Sequence, residues 1–106
     1  MYDKNNIFAK IIKKEIPCEV VYEDDSVLFF HDVRPQAKIH ILGIPKKNVI
    51  DFVDFITSSK KEEIQYFFSK TEEIIKKTGI DRNGFKIITN SGEYGGQEVP
   101  HFHIHI

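Results

Sequence analysis

The sequence predicts an α+β domain: a mainly antiparallel sheet of about five strands with one long helix packed across it and a short helix at the amino end. Three observations lead there. The β-rich runs are joined by short polar turns rather than helical crossovers. Only one stretch, Lys60 to Thr78, carries a long helical stripe of apolar residues. The last residues alternate strictly between two kinds of side chain, as a strand with two different faces does.

Each element has its own warrant. Asn5 or Asn6 can cap a short helix in which Ile7, Phe8, Ile11 and Ile12 share a face. Pro17 is expected to end it, because the residue before a proline is pushed out of helical geometry. Glu19 to Glu23 and Val27 to His31 read as strands of a hairpin around Asp24-Asp25-Ser26. After Pro35, Lys38 to Ile44 alternates loosely and stops at Pro45. Asn48 with Asp51 three residues on predicts a capped helical turn through Val49, Phe52, Val53 and Ile56. Ser59-Lys60-Lys61-Glu62 reads as a capping box for the long helix, whose stripe is Ile64, Phe67, Phe68, Thr71, Ile74 and Ile75. Lys76 and Lys77 suit the negative end of its dipole, and Gly79 suits the stop. Asn83-Gly84 turns into a strand, Phe85 to Asn90; Ser91 to Gln97 is a glycine-rich loop; Val99 to Ile106 is the final strand.

At 106 residues, with no repeat or linker, the chain reads as a single domain, 1–106. Nine Phe and no Trp make phenylalanine the main aromatic filler. A formal charge of −1 gives no basic footprint, which argues against nucleic acid as partner. Cys18 is the one cysteine, so neither an intramolecular disulfide nor a cysteine-only metal site can form, and a reducing compartment fits. No apolar run approaches the roughly 20 residues that a membrane span needs. Met1 to Asn6 lacks the apolar stretch of a signal peptide. A cytoplasmic protein without a membrane partner is the expectation.

His101-Phe102-His103-Ile104-His105-Ile106 carries the chemistry. On a strand the three histidines share one face, while Phe102, Ile104 and Ile106 turn to the core. Three adjacent imidazoles are a poor structural choice, since each buried ring needs partners for two nitrogens. A merely solvated face would use Lys, Glu or Thr. Two functional readings stay level on spacing alone. One is a metal site, His-x-His presenting ligands to Zn²⁺ with a third His or a carboxylate. The other is nucleophilic catalysis at phosphorus by a neutral imidazole.

The rest of the sequence separates these readings. Its pieces are Ile7-Phe8-Ala9-Lys10-Ile11-Ile12, Glu15-Ile16-Pro17, Tyr22-Glu23-Asp24-Asp25 and Phe30-His31-Asp32-Val33-Arg34-Pro35-Gln36-Ala37. They continue with His40, Ile44-Pro45-Lys46-Lys47, Asn90, Gly95-Gly96-Gln97-Glu98-Val99 and the histidine strand itself. Any one piece is weak, but in this order and spacing the chain resembles the histidine triad family, in its nucleotide phosphoramidase branch, over nearly its whole length.

The resemblance implies an enzyme, a hydrolase cleaving purine nucleoside 5′-phosphoramidates such as an adenosine 5′-phosphoramidate through a covalent nucleotidyl-histidine. The nucleophile falls on His103, with its second nitrogen held by a backbone carbonyl of the same strand. His101 and His105 would stabilise charge on the phosphoryl oxygens and leaving group, and His40 is the fourth histidine, in the proton network. Asn90, Gly96, Gln97, Glu98 and Val99 would line the phosphate side; Asp32 would accept from the ribose hydroxyls, with the main chain of His31 beside it. Ile7, Phe8, Phe30, Val33 and Leu42 would wall the purine. Without the resemblance, the loop is an ordinary turn, Asp32 a turn residue before Pro35, and the apolar residues plain core.

No metal or other cofactor is implied. The Cys-x-x-Cys that holds a structural zinc in some relatives is replaced by Asn6 and Ala9, and Cys18 is a passive thiol. Three positions depart from the pattern: Asn48 stands where many members have a further histidine, Arg34 where a small polar residue is common, and Glu98 where serine is frequent. A carboxylate at position 98 would disfavour anionic leaving groups. Relatives run beyond the equivalent of Ile106 into a glycine-containing segment and a tail reaching the partner's site, so this chain is expected to lack that tail. The resemblance further implies a homodimer and a purine nucleotide as substrate. Alternative functions are a dinucleoside polyphosphate hydrolase or nucleotidyl transferase of the same family, a nucleotide-binding regulatory protein, or a metal-binding module.

Overall fold

Asn6 starts the first helix, its side-chain oxygen accepting from the Ala9 amide at 2.8 Å. The computed structural model describes residues Met1–Ile106. Helix α1 (Ile7–Ile12) stops well before Pro17. Lys14 takes a left-handed conformation (φ 67°), and the amides of Glu15 and Ile16 return to the Lys10 carbonyl. These backbone bonds end the helix, not the proline.

Strands β1 (Val20–Glu23) and β2 (Val27–His31) form the expected hairpin. Its turn is held by Asp24 Oδ1, which accepts from the amides of Ser26 and Val27 at 2.8 and 2.9 Å. Strand β3 (Ile41–Pro45) starts later than the alternation from Lys38 predicts and includes Pro45. It pairs with β2, and β4 (Ile104–His105) pairs with β3. The sheet has four antiparallel strands in the order β1-β2-β3-β4.

The expected fifth strand, Phe85 to Asn90, is reduced to one bridge between Ile88 and His105. Thr89 Oγ1 donates to the His103 carbonyl at 2.7 Å, occupying an acceptor that the next ladder bond would use. β4 is two residues long, where a strand from Val99 was expected: continued in register it would face Pro45, which has no N–H to pair, and the Phe102 amide donates to the Val49 carbonyl at 2.9 Å instead.

Helix α2 (Phe52–Ser58) is capped by Asp51, not Asn48: Asp51 Oδ1 accepts from the Asp54 amide at 2.9 Å. Helix α3 (Lys61–Thr78) begins one residue after the expected box. Glu63 Oε1 accepts from the Lys60 amide at 2.8 Å, while the buried Ser59 hydroxyl finds no partner. Gly79, left-handed at φ 79°, closes the helix as expected.

Alternation along the strands sends side chains to two cores. Val27, Phe29 and Ile41, with Phe102, Ile104 and Ile106, pack against Phe55 of α2 and Phe67, Ile74 and Ile75 of α3. Leu28, Phe30, Leu42 and Ile44 pack against Phe8 and Ile11 of α1. The result is three layers, with α1 on one face of the sheet and α2 and α3 on the other. His103 and His105 stand opposite Ile104, on the α1 side.

Candidate active site

A cleft of about 410 Å³ opens between α1, the sheet and the glycine-rich loop, and His103 and His105 lie in its wall. Ile7, Phe8, Phe30, Val33 and Leu42 line its apolar end. His31, Asp32, Asn90, Gly96, Glu98 and Val99 line the rest. Of the residues expected at the site, His40, His101 and Gln97 lie outside this wall.

His103 is 6% exposed. Its Nδ1–H donates to the His101 carbonyl at 2.7 Å. A carbonyl can only accept, so a neutral His103 carries its proton on Nδ1 and leaves Nε2 with a free lone pair. The Phe8 ring meets it edge-on at 4.9 Å and sets its tilt. Burial pushes the His103 pKa down, against the opposing pull of the His101 carbonyl, Asp32 and Glu98. The unprotonated form is therefore favoured at neutral pH.

His40, behind the cleft, is hydrogen-bonded to His105 in its wall. The Gln36 amide donates to His40 Nδ1 at 3.0 Å, which places the proton of a neutral His40 on Nε2. That proton is donated to His105 Nδ1 at 3.0 Å, so a neutral His105 keeps its own proton on Nε2 as a donor. Asp32 Oδ2 stands 3.4 Å from His40 Nε2, and Asp32 Oδ1 accepts from the Arg34 amide at 2.8 Å. The pKa of His105 is lowered by burial and then by its neighbours His103 and His40.

Asp32, His40 and His105 also bring three potential metal ligands within 4.8 Å of one another. Their donor set would suit a transition metal. The Gln36 amide argues against that use, because it directs the His40 proton onto the nitrogen the metal would need.

His101 occupies a different place from the other two triad rings. It is completely buried, with Nε2–H donating to the Pro45 carbonyl at 2.8 Å and Nδ1 accepting from the Tyr2 hydroxyl at 2.5 Å. Burial pushes its pKa down to about 4, with the Pro45 carbonyl opposing and His103 adding to the fall. Its ring has no nitrogen left for a phosphate; its carbonyl is what serves His103.

Gln97 braces the glycine-rich loop. Its Nε2 donates to the carbonyls of Ile50 and Val99 at 2.7 and 3.0 Å, and its Oε1 accepts from the Gly92 amide at 2.9 Å. Asn90 Nδ2 donates to the Gly95 carbonyl at 2.8 Å across the same loop. These bonds hold the Gly96 backbone at the cleft wall.

Sequence reasoning missed Ile11, Ile16, Pro17 and Cys18 in the lining, together with Tyr2, Gln36 and Pro45 behind it. Ile11 was legible from its helical phase with Ile7 and Phe8. The others act through backbone groups or isolated side chains, and no sequence pattern marks them.

A family model described as HIT domain matches residues 13–106. An uncharacterized HIT-like protein of Rickettsia prowazekii is 49% identical over 106 residues, covering 100% of this chain and 88% of that protein. The purine nucleoside phosphoramidase of Escherichia coli is 38% identical over 103 residues, covering 97% of this chain and 86% of the relative. The crystal structure of a HIT family hydrolase from Legionella pneumophila superposes with a TM-score of 0.88 at 37% identity, covering 95% of this chain and 89% of that one.

Proposed function

Because the chain belongs to the HIT, or histidine triad, family, we propose that it hydrolyses purine nucleoside 5′-phosphoramidates with His103 as nucleophile. The observation that carries the reading is the His103 tautomer: Nδ1–H tied to the His101 carbonyl and the Nε2 lone pair left free in a cleft. In the first step Nε2 bonds to the α-phosphorus and the P–N bond breaks. The nitrogen departs with the bonding pair and takes up one proton, leaving as an amine. Water then attacks the nucleotidyl-histidine, the P–Nε2 bond breaks, and a nucleoside monophosphate is released with one proton. His105 donates from Nε2 to phosphoryl oxygen, and the Gly96 backbone supplies close approach to the anion. Asp32 holds the ribose hydroxyls, with the main chain of His31 beside them, and Ile7, Phe8, Phe30, Val33 and Leu42 enclose the purine.

Charge favours this substrate over a dinucleoside polyphosphate. The cleft wall contains Asp32 and Glu98 but no lysine or arginine. A multiply charged polyphosphate would meet two carboxylates and no fixed cation, whereas an amine leaving group is neutral or positive. A fluorogenic adenosine phosphoramidate tests the proposal. Turnover that survives chelator and drops at least about a thousandfold in His103→Ala supports it. Nucleotide binding without turnover would leave a regulatory role instead, and loss of activity to chelator would favour a metal.

The same reading extends to a homodimer. Phe85, Ile87 and Ile88 are 48%, 44% and 39% exposed along the segment beside His105. Ile87→Glu is expected to shift sedimentation from dimer to monomer; a monomeric wild type would remove this part of the proposal.

A further inference from the structure

We propose that Tyr2 is a positioning residue of the active site, holding through its hydroxyl the His101 ring whose carbonyl in turn orients the nucleophile. The inference rests on His103 as nucleophile for its catalytic consequence, and on geometry alone for the contact. The Pro45 carbonyl accepts from His101 Nε2, so that nitrogen must carry the single proton of the neutral ring. Nδ1 is then a buried lone pair, and it is the Tyr2 hydroxyl at 2.5 Å that satisfies it. Without that donor a fully buried acceptor is orphaned, and the ring gains by tilting toward water or by exchanging tautomer, which would break the bond to Pro45.

Either change reaches His103 directly. The His101 amide donates to the Val99 carbonyl at 2.8 Å, so residues 99–101 make a tight turn, and the next peptide unit, whose Phe102 amide donates to the Val49 carbonyl at 2.9 Å, offers the His101 carbonyl bonded to His103 Nδ1. A His101 ring that leaves its bond to Pro45 loosens the residue whose carbonyl fixes the His103 tautomer. Burial has already lowered the tendency of His101 to charge, and a donor on Nδ1 keeps the neutral form beside the nucleophile.

The amino-terminal segment is built to deliver the hydroxyl. Asn6 Nδ2 donates to the Asp3 carbonyl at 2.7 Å, and the Asn5 amide donates to Asp3 Oδ1 at 2.9 Å, tying Tyr2 to the helix cap. The Tyr2 ring meets the His101 ring edge-on with centroids 5.5 Å apart. Residues 99 positions apart in sequence thus form one unit.

The test uses Tyr2→Phe, which keeps the ring and removes only the donor. We expect kcat on an adenosine phosphoramidate to fall about five- to tenfold, as loss of one buried hydrogen bond allows, with KM within about twofold because Tyr2 does not line the cleft. The ring ¹⁵N shifts of wild-type His101 should show Nε2 protonated and Nδ1 as a hydrogen-bonded acceptor, and in Tyr2→Phe the Nε2 proton should exchange faster. Wild-type kcat in Tyr2→Phe, or a wild-type His101 protonated on Nδ1 at neutral pH, overturns the proposal. If the wild-type chain turns over no phosphoramidate, the functional reading fails while the ring shifts still decide the role of Tyr2.

Discussion

At the residue scale, one buried nitrogen decides what His103 can do. Burial holds its pKa below the ordinary histidine value near 6.5, so in the proposed mechanism protonation competes with nucleophilic attack only in acid. The acid limb of kcat/KM is therefore expected to have its midpoint below about 6.5. A limb centred at 7 or above would mean that the Asp32 and Glu98 charges outweigh burial. The alternation His-x-His-x-His made the three rings visible in the sequence. It did not reveal that His101 turns its ring away from the cleft and serves through its carbonyl, because that depends on Tyr2 and Pro45, which lie on other elements.

At the element scale, the β1–β2 turn is tied to helix α3 through Asp24. Its Oδ2 accepts from Tyr22 Oη at 2.9 Å and from Tyr66 Oη, and Lys70 Nζ lies 4.5 Å from the Tyr22 ring centre. Burial works against the charge, but hydrogen bonds from Tyr66, Ser26, Val27 and Tyr22 outweigh it and draw the carboxyl down to about 2. A depressed carboxylate stabilises the fold above its unfolded value near 3.9, and the gain is lost as pH falls toward 2. Asp24→Asn should cost about 1 kcal/mol at pH 7 after allowing for solvent screening, and about a third of that at pH 2.5, read by urea unfolding. Equal costs at both pH values would assign the effect to packing.

Strand β3 has an equally local requirement. A Cβ on Gly43 would stand 2.5 Å from Phe29 Cε2 and 3.2 Å from Ile104 Cγ1, where three strands converge. Gly43→Ala is expected to destabilise by about 1–3 kcal/mol through overpacking, measured as a lower urea midpoint. A neutral result would mean that the Phe29 ring has room to move. The stripe of α3 was legible because its period is local. The one-residue shift of its cap and the missing ladder beside β4 were not, because Glu63 and Thr89 chose among several backbone partners of similar chemistry.

At the scale of the molecule, the triad makes the whole fold sensitive to mild acid. His101, His103 and His105 all have lowered pKa values, chiefly through burial. In the unfolded chain they bind protons near pH 6.5; in the fold they resist until lower pH. The unfolded state thus holds more protons in that window, and stability falls as pH falls. Between pH 7 and pH 5 the loss is expected to be on the order of 2 kcal/mol, ahead of the carboxylate window. Unchanged urea midpoints over that range would show that the rings charge freely in the fold.

The amino-acid sequence by itself determined the α+β class, the helices and hairpin, the family, and the strand that bears the histidines. These follow from periodicity, turn chemistry and ordered motifs, all carried by near neighbours. The tertiary structure decided which histidine faces the cleft, which tautomer each holds, and which remote groups hold them there. Those outcomes depend on single hydrogen bonds between residues far apart along the chain, and the partner of a lone pair is chosen by packing, which no local pattern encodes.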